Sequence, residues 1–549
     1  MARHALRPRQ DPAPSPYTVP NTGQWDGNDG QWSTFRLSVG TPPQDFRVLV
    51  STRGHETWVP VPEGCTASDP SDCASERGTE TFRGQASSGF QTNQSSTWEE
   101  IGIYDLGLEA SLGYTGNGLY GYDTIRLGSS QDSSALAMDH QVVAGIAVKD
   151  YFMGVIGVSP TSSSFDSASE PVGSLFNNLA ENKSIPSRSY AYTAGAYYRN
   201  KKVPGSLILG GYDQARFASP PRFNFTFSAG DTSNLVVGVQ SITASNSLIG
   251  VSAMTTTGHL SLVDSTVPHL WLPDDVCDLF EQNFGLTYDE EKNFYLVNDT
   301  IHQKLLSLNP EFTFKLGNEI YTSDTNSTNI VLPYAAFDLE MSYPYYENMT
   351  RYFPIRKAAN DTQYTLGRAL LQEAYLVVDH ERRNFTITQA KFSDPLPTPD
   401  IVSILSPGSE DPGDSVGGAA GLSTGATAGI AVAASVVGVF LIVALIFCWR
   451  RKHRRKPDIR EAAAWEQPEN KPPYDAWRPA PIESDNNEIA EMGGHRDQDK
   501  DRAQELGAGR DVAYELASAH VPMVYEMDGN NTAKPDVRND KNNNRFSWQ

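Results

Sequence analysis

The chain has 549 residues, of which 20% are charged and 10% aromatic, with 35 prolines and 44 glycines. It is long enough for several domains and too rich in turn formers for a mainly helical protein. The formal net charge is −22, and the acid excess lies almost wholly before residue 425, which argues against a nucleic-acid surface or nucleic-acid partner.

In chain order, residues 1–20 read as a disordered, proline-rich lead-in. They contain no apolar stretch of signal-peptide kind, and the expectation is that the natural chain begins upstream. From Gln31 to about Leu396, short β-branched and aromatic runs alternate with Gly, Pro, Asn and Ser, as in FRLSVG, DFRVLV, GSLILGG and EAYLVVD. That pattern predicts an all-β, bilobal body with lobes over 21–205 and 206–395, and short helices only near Val172–Leu179 and Asp274–Phe284. Residues 396–425 are a Pro/Gly/Ser stalk.

Ala428 to Trp449 is 22 residues without a charge, and six of the next seven positions, Arg450 to Lys456, are Lys or Arg. Length and flank predict one transmembrane helix over 426–449, with the N-terminal part outside and 450–549 a disordered cytoplasmic tail. The site of action would be the plasma membrane or a secretory-pathway membrane. Eight N-x-Ser/Thr sequons precede the anchor, at Asn93, Asn182, Asn224, Asn298, Asn326, Asn348, Asn360 and Asn384, and one follows it at Asn530. They are candidate glycosylation sites. Cys65 and Cys73 are expected to pair; Cys277 is either a buried thiol or an intermolecular bridge.

Two blocks 213 positions apart carry the chemistry. Ser51 opens STRGHETWVP and Asp264 opens DSTVPHLWLP; each follows an apolar run and has Trp at the eighth place (Trp58, Trp271) and Pro at the tenth. One strand-loop-strand device per half implies two similar lobes whose loops meet. The tryptophans read as core behind those loops.

Five ordered segments resemble the pepsin family of aspartic proteases, especially its fungal, yapsin-like, membrane-attached branch: VGTPPQDF (Val39–Phe46), GYDTIRLG (Gly121–Gly128), GVIGVSP (Gly154–Pro160), GSLILGGYD (Gly205–Asp213) and YTLGRALLQEAYLVVD (Tyr364–Asp379). The resemblance spans about 25–395. It implies a pepsin-like fold with a catalytic carboxyl in each loop, in Asp-Thr-Gly-Ser/Thr sequences. Asp264 matches the second of these; Ser51 stands where the first should be. Thr52 and Ser265 keep the hydroxyls expected to brace the loops, while Arg53 and Thr266 replace both glycines. The flap tyrosine is placed at Tyr114, with Tyr104 as the alternative.

Peptide hydrolysis in this family needs two carboxyls sharing a proton, one to draw a proton from water and one to polarise the amide. A serine hydroxyl does neither at physiological pH, and loss of an acid–base partner costs ~10²–10⁴-fold. Arg53 is a candidate ion-pair partner for Asp264. His55 and Glu56 face away from the attacking water in the family, so they are read as loop-surface residues. No metal or nucleotide motif is present, and no cofactor is expected.

The reading is an impaired aspartic-peptidase-like ectodomain, a pseudoprotease, holding a peptide or cell-wall ligand in the interlobe cleft. The alternatives are an active endopeptidase that processes secreted or surface proteins, and a passive glycoprotein.

Overall fold

The computed structural model describes residues 14–409 apart from 166, 168, 218–223, 228–233 and 322–325. All belong to the unit Met1–Ser423; the anchor at 426–449 and the tail at 450–549 lie outside the described residues. Among the described residues no helix is long and apolar enough to cross a membrane.

The body is mostly β. One eight-stranded sheet runs, in spatial order, Asn21–Asp26, Trp32–Val39, Gln44–Ser51, Val155–Gly157, Thr57–Pro60, Leu136–Ile146, Asn117–Leu127 and Glu99–Asp105. Burial along Asn117–Leu127 and Glu311–Gly317 alternates, so one face of each strand meets the core. Glu99–Asp105 pairs with a single neighbour and has no buried residue, which makes it the outer arm of a projecting hairpin.

The second eight-stranded sheet repeats the first sheet's central device. In the N-terminal half, Val155–Gly157 lies parallel to Gln44–Ser51 and antiparallel to Thr57–Pro60. In the C-terminal half, Thr365–Leu366 lies parallel to His259–Val263 and antiparallel to Leu270–Leu272. Each short strand therefore plugs the gap opened by a loop. Gly157 and Gly367 make that possible: a Cβ on Gly157 would lie 2.6 Å from the Gly54 carbonyl, and one on Gly367 would lie 2.4 Å from the His269 carbonyl oxygen.

A third sheet joins the halves. Its order is Tyr17–Val19, Val203–Leu209, Ser189–Ala196, Ala374–Asp379, Asn384–Gln389 and Phe225–Thr226. The predicted lobe boundary at 205/206 thus falls inside a strand, and the C-terminal half contributes to the same sheet as the N-terminal half. One apolar cluster includes Val50, Ile156, Tyr190, Val263 and Leu366, so core from both halves backs the loops.

The ordered body also extends past both predicted edges. Tyr17–Val19 is a strand, so the lead-in is shorter than 1–20, and Ile401–Ser403 pairs with Gly211–Asp213, so part of the expected stalk is structured.

The helix predicted at Asp274–Phe284 is there, with Asp274 and Asp275 in its first turn and Gly285 ending it at φ 64°. It buries Val276, Cys277, Phe280 and Phe284 on one face. That face answers the Cys277 question: the thiol is free and buried, and burial pushes its pKa up. The helix expected at Val172–Leu179 is Leu175–Glu181, because the Ser174 side chain caps Asn177 N–H at 3.2 Å and fixes the start there. A helix at Asp299–Leu308 was not expected; Asn298, noted only as a sequon, is its N-cap.

Because backbone carbonyls rather than flexible side chains oppose the new methyl, Gly367→Ala should lower stability by at least ~1–3 kcal/mol. Gly157→Ala should act alike, and chemical denaturation midpoints of both variants check this.

Candidate active site

The parallel pairing just described delivers Ser51 and Asp264 to matching places. Val158 N–H bonds the Ser51 carbonyl at 3.1 Å, and Asp264 N–H bonds the Leu366 carbonyl at 3.1 Å. The loops are then locked together by reciprocal bonds. Thr52 N–H donates to Ser265 Oγ at 3.0 Å, and Ser265 N–H donates to Thr52 Oγ1 at 3.0 Å. Ser265 Oγ in turn donates to the Val50 carbonyl at 2.6 Å. All of these groups are buried, where an unmade bond is expensive. Thr52 and Ser265 thus form the brace that their positions implied.

Ser51 and Asp264 do not bond each other directly. Thr266 Oγ1 lies 2.6 Å from Ser51 Oγ and 2.6 Å from Asp264 Oδ1. Asp264 Oδ1 also accepts Thr266 N–H at 2.8 Å, so it is an acceptor and takes the single Thr266 hydroxyl proton. Ser51 must then donate to Thr266, while Gly54 N–H donates to Ser51 at 2.7 Å. The two departures from the family pattern explain one another. Thr266 supplies, where the family has glycine, the hydroxyl that Ser51 needs in place of a carboxyl partner.

Arg53 does not take the place expected for it. Its guanidinium bonds Glu109 Oε1 at 2.7 Å rather than the Asp264 carboxyl. Glu109 lies at the turn of the hairpin formed by Glu99–Asp105 and Asn117–Leu127, and is 1% exposed. Its carboxyl lies near enough to Asp264 for the two charges to interact. The expectation of a single carboxyl at the centre is therefore corrected to two, the second arriving from the hairpin rather than from the first loop. Burial raises the Glu109 pKa well above the usual carboxylate range, and the Asp264 charge raises it further, against the pull of Arg53.

The hairpin turn is shut over the loops. Tyr151 OH donates to the Leu108 carbonyl, and Gln363 Nε2 reaches across from the C-terminal half to the Ser111 carbonyl at 2.5 Å. A cavity of about 230 Å³ lies beside it, with Arg53, Glu109, Ser111, Leu260, Ser261 and Asp361 in its walls. Tyr114, the flap candidate, lies on this hairpin but is buried against Tyr151, with ring centroids 5.6 Å apart, and its hydroxyl has no partner among the described residues. Tyr104 packs on Tyr120 and Phe165.

Glu56 is not a surface residue. It accepts from Trp58 Nε1 at 3.1 Å, Tyr120 OH at 2.8 Å and Ser163 Oγ at 2.7 Å, and so ties the hairpin's inner strand to the loop. His55 stays half-buried beside it. Trp58 and Trp271 are core, as expected. Cys65 and Cys73 form a disulfide.

Arg368 is a further site residue that the sequence argument passed over. It donates to the Ser265 and Thr266 carbonyls at 2.9 and 2.8 Å, faces buried Asp29 at 3.7 Å and lies over the Trp32 ring. The available signal was its position: the resembled block has Asp after Leu-Gly, and this chain has Arg. Glu109 gave less warning, since the stretch from Tyr104 to Gly121 does not follow the family's spacing.

With the geometry in view, the relationships of the chain are clear. The sequence profile of the family described as eukaryotic aspartyl protease matches residues 34–391. The chain belongs to that family. It is 22% identical to barrierpepsin of Saccharomyces cerevisiae over 402 residues (68% of this chain, 62% of barrierpepsin) and 23% identical to aspartic proteinase yapsin-3 of the same organism over 382 residues (66% and 67%). Mucorpepsin of Rhizomucor miehei is 24% identical over 272 residues, 49% of this chain and 54% of that protein. The chain spans less than two thirds of barrierpepsin, and 41% of mouse pepsin A-5. Within this aspartyl protease fold the departures at Ser51, Thr266 and Arg53 sit in otherwise intact loops.

Two outcomes follow. Arg368→Met leaves Asp29 buried without its cation and two loop carbonyls without donors, and should cost about 3–5 kcal/mol in thermal or chemical unfolding. For Glu109, a folded-state pKa above the unfolded one means that its stabilisation is complete below the ordinary carboxylate range and is lost as pH rises through the raised value. Glu109→Gln, which cannot ionise, should therefore flatten the fall in melting temperature as pH rises above the ordinary carboxylate range.

Proposed function

We propose that this chain is a membrane-anchored, glycosylated aspartyl-protease homologue whose family chemistry is impaired and whose cleft binds a ligand rather than cleaving it. The observation that carries this reading is the bonding of Ser51. Its hydroxyl is engaged by Thr266 and Gly54 at the place of the first acid, so the loops themselves supply one carboxyl and no proton-sharing partner. An oxygen held this way neither activates a water nor protonates a leaving group near neutral pH. The ligand class favoured here is peptide, because the fold's cleft is built to receive an extended chain; a cell-wall ligand is the other candidate.

A second reading has one specific observation in its favour. Glu109 and Asp264 are two buried carboxyls whose charges interact, and acid hydrolysis of peptides requires a pair of carboxyls. The placement of Glu109 weighs against it. The residue stands on the hairpin turn, paired with Arg53, rather than on the loop opposite Asp264.

The membrane and glycan parts rest on the sequence. The apolar segment at 426–449 and its basic flank support a single-pass anchor with the folded body outside the cytoplasm. Seven of the eight sequon asparagines, all but Asn384, are exposed in the folded body. Asn298 and Asn360 use only their Oδ1 atoms in turn and cap bonds, which leaves the amide nitrogen for a glycan.

The test is turnover of a mixed peptide library by the full chain between about pH 3 and 6, with and without a statine-type inhibitor. The expected result is no inhibitor-sensitive cleavage from wild type, and a gain of at least about tenfold over background when Ser51→Asp is combined with Thr266→Gly. Inhibitor-sensitive cleavage by wild type that disappears in Asp264→Ala would sink the impaired reading. If it also disappeared in Glu109→Gln, the second reading would replace it. Separately, treatment with a glycan-removing amidase should lower the apparent mass of protein from a eukaryotic host, and alkaline carbonate should leave the protein in the membrane pellet.

A further inference from the structure

The hairpin fills the cleft with a carboxyl of its own, and the way that carboxyl is held describes the kind of ligand the cleft accepts. Glu109 has φ 59°, in the left-handed region that a non-glycine residue occupies only when its surroundings impose it. The imposed contacts are the Arg53 ion pair at 2.7 Å and the anchoring of Leu108 and Ser111 on either flank by Tyr151 and Gln363, with the Asp264 charge nearby.

One oxygen of each carboxyl, Glu109 Oε2 and Asp264 Oδ2, is buried and accepts no N–H or O–H bond from the described residues. Two interacting carboxyls that each bury an oxygen without a donor repel and are poorly solvated. One shared proton satisfies both. The single negative charge that remains balances the Arg53 guanidinium. A cation that already holds a buried carboxyl, with a second carboxyl close to it, makes a receptor for a carboxylic acid.

We propose that Arg53 and Asp264 form a binding site for the side-chain carboxyl of one acidic residue in an extended peptide, a site occupied in this structure by the chain's own Glu109, which the ligand displaces. This deepens the reading of the cleft as a binding site and rests on it. The adjoining cavity of about 230 Å³ offers the flanking residues of the peptide a partly apolar bed at Val236, Leu260 and Tyr364. Asp361 stands in the same wall, so a second acidic residue beside the first is disfavoured and uncharged neighbours are preferred.

The need for one shared proton sets the pH sense. The charged and titratable groups that face Glu109 are Arg53 and Asp264 from the two loops, Tyr114 from its own hairpin and Tyr151 from the segment after Leu136–Ile146, with Asp361 across the cavity. Burial holds both tyrosines neutral, and Arg53 stays charged. The ligand's carboxyl therefore replaces Glu109 as the group that carries the proton, and binding weakens as pH rises above the carboxylate range.

The test uses the full chain in detergent micelles and two labelled hexapeptides, one with a single central Glu among uncharged residues and one with Gln in its place, followed by fluorescence polarisation at about pH 5. Glu109→Ala should bind the Glu peptide about tenfold more tightly than wild type does, and about tenfold more tightly than it binds the Gln peptide. Adding Arg53→Met should abolish the Glu-over-Gln preference. Glu109→Gln keeps the shape of the plug but not its acid, so it should show the same preference with a smaller gain, which separates displacement from collapse of the hairpin. Equal affinity for the two peptides in both Glu109 variants, or no gain over wild type in either, would overturn the proposal. Mass spectrometry of the same samples keeps the two readings apart: fragments of the peptide would sink the non-hydrolytic reading, whereas the Glu-over-Gln preference alone decides this one.

Discussion

Everything at the centre of this molecule depends on one pair of reciprocal hydrogen bonds, Thr52 N–H to Ser265 Oγ and Ser265 N–H to Thr52 Oγ1. Each loop satisfies a buried donor of the other, so neither can shift without leaving an amide unpaired. The short strands at Val155–Gly157 and Thr365–Leu366 fix the roots of the loops, and glycine at 157 and 367 lets the backbones close in. The scaffold for acid catalysis is intact. What has changed is the chemistry carried on it.

The changes come in matched sets rather than singly. Ser51 without Thr266 would leave a buried hydroxyl without an acceptor; Thr266 without Ser51 would crowd a family carboxyl. Arg53 without Glu109 would place a half-buried cation beside Asp264, with no partner of its own. Arg368 is paired with Asp29 and caps two carbonyls of the second loop. Ser51 Oγ, Thr266 Oγ1 and the Arg53 guanidinium each have a bonding partner among the described residues, while Glu109 Oε2, Asp264 Oδ2 and Arg368 Nε have none.

Much of this was legible in the residues. The paired blocks at Ser51 and Asp264, the hydroxyls at Thr52 and Ser265, the helix at Asp274–Phe284 and the Cys65–Cys73 pair all follow from local pattern or from motif position. What was not legible depends on contacts between segments far apart in sequence. Glu109 is 56 residues from Arg53, on a turn with no diagnostic spacing, and nothing in LGLEASL says that its acid folds inward. The lobe boundary was misplaced for the same reason, because Ala374–Asp379 joins the strand Ser189–Ala196 through pairing that no local window contains. Thr266 lay in plain view as a departure from a resembled motif, Arg368 was not singled out, and the meaning of both lies in the partner.

The central claim is that the acid facing Asp264 is a protonated Glu109 from the hairpin rather than a group at position 51. Infrared difference spectroscopy of the protonated-carboxyl band reads this directly. The expected band persists above the ordinary carboxylate range, loses its Glu109 component in Glu109→Gln, and shifts in Asp264→Asn. A band unchanged by either substitution, or one that vanishes within the ordinary carboxylate range in the unmodified chain, would contradict it.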